Sequence, residues 1–276
     1  MSRALTAPSF PSGGAPVSVL IDYDGTISTH DVGDELLARL FPHPARAAAY
    51  DAEYDAGRMG SRDLLRWDME VLPRDPDLLR AVAASLPQDE TFPAFVAAVQ
   101  EAGAAIEIVS DGMGFYVESN LARLDPSLAD LPVATNVNPV AGADVLGFPY
   151  GHPRCFVCGT CKRERVRLHQ AAGRAVVFIG DGTSDRYAAH HADLVFAKGS
   201  LLRWGRATGR SVWAWDTFAD VEAWFRMALR DGTLPARPED GPAWRAGHGS
   251  AAGFICGPEA WGEGRTTPLP DRAPAS

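Results

Sequence analysis

Three short apolar runs constrain this chain most: Val17-Ser18-Val19-Leu20-Ile21, Ala104-Ala105-Ile106-Glu107-Ile108-Val109 and Ala175-Val176-Val177-Phe178-Ile179. Each stops abruptly in a loop of acidic, hydroxyl and glycine residues, so each reads as a buried strand feeding a polar loop. The loops are Asp22-Tyr23-Asp24-Gly25-Thr26, Ser110-Asp111-Gly112 and Gly180-Asp181-Gly182-Thr183-Ser184-Asp185. Helical patterns are read at 93–102, 115–124, 162–172 and 218–229, extended segments at 133–137 and 145–150, and shorter strands at 194–197 and 212–215. Strands alternating with helices predict an α/β fold with a doubly wound parallel sheet. Ligands of such a sheet bind beyond the carboxyl ends of its strands, where the three polar loops fall.

Between the first two runs, apolar residues recur at helical spacing: Leu36, Leu37 and Leu40, then Leu64, Leu65, Met69 and Leu72, then Leu78, Leu79 and Val82. Each group is broken by Pro or Gly. This predicts an all-helical insertion over 30–89 in a core made of 17–29 and 90–230, and 276 residues suffice for both. Residues 1–16 are expected to be flexible, and 231–276, dense in Pro, Gly, Ala and Arg without any period, to be a disordered tail.

A net charge of −9 argues against a nucleic-acid surface, which needs clustered Lys and Arg. No apolar run approaches the roughly 20 residues of a membrane span. The first sixteen residues lack the apolar stretch of a signal peptide, so a soluble cytoplasmic protein is expected. Of 26 basic residues only Lys162 and Lys198 are lysine, which draws attention to both. Three of the four cysteines fall within 155–161, unlike a spread disulfide framework. With His152 they could hold zinc, but zinc sites usually draw on two separated pairs. Buried thiols or a reversible disulfide is the favoured reading. His190 and His191 read as helix surface.

Asp22 and Asp24, two apart beyond the first strand, can face one cavity. There one carboxylate would attack phosphorus, splitting a hard displacement into two easier ones. The other would give a proton to the departing alkoxide and later take one from water. Two anions beside an anionic phosphate require a hard cation, and Mg²⁺ prefers oxygen ligands. Asp181 is the natural further ligand, with Asp185 behind it as an outer carboxylate. Ser110 and the N–H groups of Asp111 and Gly112, where a strand gives way to a helix start, form a phosphate site. Lys162 supplies positive charge against the transferring oxygens.

DYDGT, a run ending in SDG, a lysine, then GDGTSD resembles the four motifs of haloacid-dehalogenase-type phosphatases, across residues 17 to about 224. The resemblance implies a Rossmann-like core with a helical cap. It also implies that Asp22 is the nucleophile and Asp24 the acid/base, that Ser110 and Lys162 contact phosphate, and that Mg²⁺ is held by Asp22, Asp181 and the Asp24 carbonyl. Dehalogenases of this superfamily lack the second aspartate, and phosphonatases use a cap lysine absent from 27–104. The stretch His152–Lys162 and Ala192-Asp193-Leu194-Val195-Phe196-Ala197-Lys198 look like the methionine-salvage phosphatases, which makes an enol phosphate the leading substrate. Asp31, nine residues after Asp22, and Arg66, nine after Gly57, match cap positions of phosphoserine phosphatases that meet the substrate amine and carboxylate. Phosphoserine is therefore second, with pyridoxal phosphate, phosphoethanolamine and phosphocholine also open. A phosphotransferase and a non-catalytic binding module are the alternatives in class. Oligomeric state leaves no trace in the sequence.

Overall fold

The computed structural model describes residues 16–56, 58–138, 146–152, 155 and 157–232. The flexible start expected for 1–16, apart from Pro16, and the tail expected for 231–276, apart from Asp231 and Gly232, lie outside these residues.

Six parallel strands form one sheet: β1 (Val17–Ile21), β2 (Ala105–Met113), β3 (Val133–Asn136), β4 (Ala175–Gly180), β5 (Leu194–Ala197) and β6 (Trp213–Ala214), in the order β3-β2-β1-β4-β5-β6. Every residue of β1 and β4 is buried. Such a run is apolar throughout because helices cover both faces of a parallel sheet. The chain leaves β1 toward β2 and β3, then crosses to β4 on the other side. The ends of β1 and β4 therefore meet at the switch in strand order, with Ile21 level with Ile179 and the Asp22 N–H donating to the Ile179 carbonyl at 2.9 Å.

Four helices follow β1: α1 (Val32–Leu40), α2 (Pro44–Asp55), α3 (Ser61–Val71) and α4 (Pro76–Ala84). Then come α5 (Phe92–Glu101), α6 (Gly114–Leu124), α7 (Lys162–Ala171), α8 (Arg186–His191), α9 (Gly199–Ala207) and α10 (Phe218–Arg230). Helices α5 and α10 close one side of the sheet through Phe92, Phe95, Phe218 and Phe225, with the Phe95 and Phe218 rings 5.2 Å apart. No helix among the described residues is long and apolar enough to cross a membrane.

The second strand runs further than expected. The sequence pattern ends it at Val109, with Ser110-Asp111-Gly112 at a helix start, whereas β2 continues to Met113 and α6 begins at Gly114. Pairing with β3 holds the extension, through Met113 opposite Asn136 and the Thr135 hydroxyl donating to the Gly112 carbonyl at 2.8 Å. A register shift between Val109 and Met113 marks an irregularity at this point. The extended segment expected at 145–150 is reduced to a bridge between Gly147 and Val137, and Val145 lies outside the described residues.

Candidate active site

The strand ends bring the acidic loops together as placed. Asp22 is buried, and its Oδ1 lies 2.7 Å from the Lys162 Nζ and accepts the Tyr23 N–H at 2.7 Å. Lys162, itself buried, also reaches Asp185 Oδ1 at 2.7 Å and donates to the Ser184 hydroxyl at 2.9 Å. Burial opposes the charge on this ammonium, but Asp185 and Asp22 outweigh it and hold its pKa well above the ordinary lysine value. Burial, then Asp185, raises the Asp22 carboxyl well above the usual range, against the pull of Lys162.

Asp24 faces elsewhere. Its Oδ1 accepts the Val32 N–H at 3.1 Å, and its Oδ2 accepts the hydroxyls of Tyr116 at 3.1 Å and Ser110 at 3.3 Å. Burial, with the neighbouring charge of Asp31, pushes it up to about 8. That upward shift favours the protonated form, the form a general acid needs. Ser110 does not cap a helix; its oxygen accepts the Gly112 N–H at 2.9 Å within the strand irregularity. Asp111 Oδ1 accepts the Thr160 N–H at 2.7 Å, and both Asp111 and Gly112 line the cleft.

Asp22, Asp181 and Asp185 offer oxygens within 4.8 Å of one another, and they are the one group of three or more candidate ligands among the described residues. An all-oxygen donor set suits a hard divalent cation. Asp181 is oriented by the Thr26 hydroxyl, which donates to its Oδ1 at 2.7 Å, and burial with Asp185 pushes it up to about 7. Both Asp185 oxygens are engaged: Oδ1 by Lys162, and Oδ2 by the N–H groups of Asp181 and Gly182 at 2.9 Å each. Asp185 therefore holds Lys162 and Asp181 in place. The Asp24 side chain is outside this group, leaving that residue's backbone carbonyl for a ligand role. Gly25 has φ +69°, and a Cβ there would overlap the Asp181 carboxylate.

Asp22, Asp24, Asp111, Gly112, Tyr116, Lys162 and Asp181 line a cleft of about 280 Å³ between the strand ends and helices α1–α3, whereas Ser110 and Asp185 are fully buried and are not among its lining residues. Asp31 lines it while capping α1, where its Oδ1 accepts the Asp34 N–H at 3.0 Å. Arg66 is not among the lining residues: it pairs with Asp63 at 2.9 Å and lies over the Phe148 ring at 5.5 Å. The helical block instead brings Asp34, Asp51, Tyr54, Asp55 and Asp68 to the cleft. Sequence reading singled out none of them, nor Tyr116 and Thr26. Thr26 sits inside the DYDGT motif, whereas Tyr116 is recognisable only once α6 folds beside Asp24.

The segment before Lys162 is tied to the start of α3. Arg62 N–H donates to the Val157 carbonyl at 3.1 Å, Arg62 Nε to the Cys158 carbonyl at 2.7 Å, and Gly159 N–H to the Ser61 hydroxyl at 3.0 Å. Cys155 and Cys161 are buried thiols, and the one candidate ligand group among the described residues includes none of Cys155, Cys158, Cys161 and His152. Burial pushes the Cys161 thiol up to about 11. His190 and His191 are buried rather than on the helix surface, because α8 packs against α7, where Arg163 Nε donates to His191 Nε2 at 3.1 Å.

The first strand of this parallel sheet ends in two carboxylates with different partners, Asp22 against Lys162 and Asp24 against Tyr116 and Ser110, and residues 19–190 match the haloacid dehalogenase-like hydrolase family. The chain belongs to that family. A protein of Exiguobacterium sibiricum named 2-hydroxy-3-keto-5-methylthiopentenyl-1-phosphate phosphatase is 27% identical over 217 residues, covering 74% of this chain and 94% of its own length. Its namesake in Bacillus cereus is 23% identical over 224 residues, covering 77% and 97%. Among solved structures, a phospho-aspartyl intermediate analogue of phosphoserine phosphatase superposes with a TM-score of 0.56 at 17% identity, over 79% of this chain and 99% of that one.

Proposed function

We propose that the protein is a Mg²⁺-dependent phosphomonoesterase that hydrolyses a small phosphorylated metabolite through an aspartyl-phosphate on Asp22. The observation that carries this reading is the division of partners between two carboxylates on one strand end: Asp22 faces Lys162, and Asp24 faces Tyr116 and Ser110.

An Asp22 oxygen attacks phosphorus and the bond to the leaving oxygen breaks, while Asp24 gives that oxygen its proton. Asp24 then takes a proton from the water that attacks the phosphoryl group, and Asp22 is released. Lys162 offsets charge on the transferring oxygens, and Asp111 and Gly112 line the same cleft. Mg²⁺ held by Asp22, Asp181 and the Asp24 carbonyl, with Asp185 behind them, would neutralise phosphate charge at the meeting of anions.

The test is phosphate release with and without Mg²⁺, together with acid quenching during turnover. A labelled acyl phosphate discharged by hydroxylamine is expected, and turnover fully retained in chelator would remove the proposal. Gly25→Ala, which crowds Asp181, is expected to weaken Mg²⁺ activation by about 10–100-fold; titrating activity against Mg²⁺ reads this directly.

The names of the relatives support 2-hydroxy-3-keto-5-methylthiopentenyl-1-phosphate, the enol phosphate expected above, as the first substrate to assay. Phosphoserine has less support, because Arg66 is spent on Asp63 away from the cleft. The residues 30–89 that face the site have the position of a cap domain.

A further inference from the structure

Tyr116 belongs to none of the three polar loops, yet its hydroxyl reaches Asp24 from the first turn of α6. Asp24 Oδ1 accepts the Val32 N–H at 3.1 Å, while Oδ2 accepts the hydroxyls of Tyr116 at 3.1 Å and Ser110 at 3.3 Å. An amide can only donate, so it claims Oδ1 as an acceptor and leaves Oδ2 to carry the proton of the acid form. Of the two hydroxyls at Oδ2, that of Ser110 belongs to a fully buried residue, whereas Tyr116 lines the cleft together with Asp24.

The place of this hydroxyl is fixed by packing. The Tyr116 ring is 3% exposed and lies against the rings of Phe115 at 5.2 Å and Tyr23 at 6.0 Å. Gly112 makes the room: a Cβ there would overlap both the Tyr116 hydroxyl and Asp24 Oδ2. As the proton leaves, negative charge develops on Oδ2, and hydroxyls already aimed at it donate more strongly to the ion than to the acid. We infer that Tyr116 is a positioning residue for acid catalysis: its hydroxyl holds Asp24 Oδ2 in place and steadies the charge left behind when the leaving oxygen takes the proton. The inference rests on the phosphomonoesterase reading and adds to it a residue that acts through Asp24.

In the first half of the reaction an Asp22 oxygen bonds to phosphorus, the bond from phosphorus to the leaving oxygen breaks, and the proton on Asp24 Oδ2 moves to that oxygen. The need for this proton depends on the leaving group. An alkoxide is too basic to depart without it, whereas p-nitrophenolate spreads its charge over the ring and departs unprotonated. Loss of a group that positions the acid therefore separates the two kinds of substrate. Damage to Asp22, Lys162 or the cation site slows both, and so does loss of folded protein. The value of kcat/KM isolates this half-reaction, because the later attack of water, in which Asp24 acts as base, follows the departure of the alcohol.

The experiment compares benzyl phosphate, which releases an alkoxide, with p-nitrophenyl phosphate, which is of similar size, in the full-length Mg²⁺-loaded enzyme. The variant is Tyr116→Phe, which keeps the packed ring and removes only the hydroxyl. Its kcat/KM is expected to fall about 10–100-fold for benzyl phosphate and no more than about threefold for p-nitrophenyl phosphate. Gly112→Ala, whose Cβ displaces the same two oxygens, should shift the ratio in the same direction and serves if Tyr116→Phe does not fold. A ratio of the two kcat/KM values within about threefold of the wild type overturns this inference and leaves the phosphomonoesterase standing. A wild-type enzyme that hydrolyses neither compound overturns the phosphomonoesterase reading and this inference with it.

Discussion

Asp22→Asn is expected to lower phosphate release by roughly 10⁴–10⁶-fold while leaving the fold intact. The amide has the shape of the carboxylate but cannot attack phosphorus, and no other carboxylate stands ready: Asp24 is tied to Tyr116, Ser110 and the Val32 amide, and Asp185 to Lys162 and two backbone amides. The effect on stability should have the opposite sign. Burial and Asp185 raise the pKa of Asp22, so its ionised form is a cost to the folded state at neutral pH. Removing that charge relieves the cost, and Lys162 keeps Asp185 as its partner. A melting temperature equal to or above that of the wild type, with turnover gone, is the expected pair of results. Turnover within tenfold of the wild type would remove Asp22 as the nucleophile.

Lys162→Met should damage both properties. The ammonium sits between Asp22 and Asp185 with almost no solvent contact, so its loss leaves two buried carboxylates facing each other. Removing one partner of such a buried group costs about 3–5 kcal/mol, and losing the charge beside the transferring phosphoryl group costs about 10²–10³ in kcat. The pH dependence follows from the direction of the Asp22 shift. Its folded pKa is already raised and would rise further without the lysine, so the folded state binds protons that the unfolded state releases. Stability is then fully present below the ordinary carboxylate pKa and lost as pH climbs through the raised one. The variant's deficit in melting temperature should shrink between about pH 8 and about pH 5. A deficit independent of pH would show that Lys162 acts through packing alone.

The reacting side of this cleft is legible in the sequence because its residues follow directly on buried strands. A run such as Ala175–Ile179 announces its own end, and parallel pairing places Asp181 beside Asp22. The substrate side is far less legible. Helix α2 reads Pro-Ala-Arg-Ala-Ala-Ala-Tyr-Asp-Ala-Glu-Tyr-Asp and buries only Ala47, so it has no apolar stripe to reveal it, yet it brings Asp51, Tyr54 and Asp55 to the site. Asp68 lies in a recognisable helical stretch, but its burial depends on how α3 rests over the strand ends, a tertiary relation that periodicity does not encode. Arg66 shows the converse. Spacing from Gly57 matched a known position, while the local i,i+3 pair with Asp63 holds the guanidinium outside the cleft. Ser110 donates to Asp24, but the β2–β3 pairing rather than a helix start organises its surroundings.

The three hydrogen bonds that tie residues 157–159 to Ser61 and Arg62 bear on how such enzymes can be recombined. The segment ends on Lys162, so the helical block and the lysine share an anchor although about a hundred residues of chain separate them. A chimera that exchanged residues 30–89 alone would inherit a lysine loop shaped for a different neighbour. The transferable module in this protein is discontinuous: the helical block together with the loop that grips it, moved as one piece.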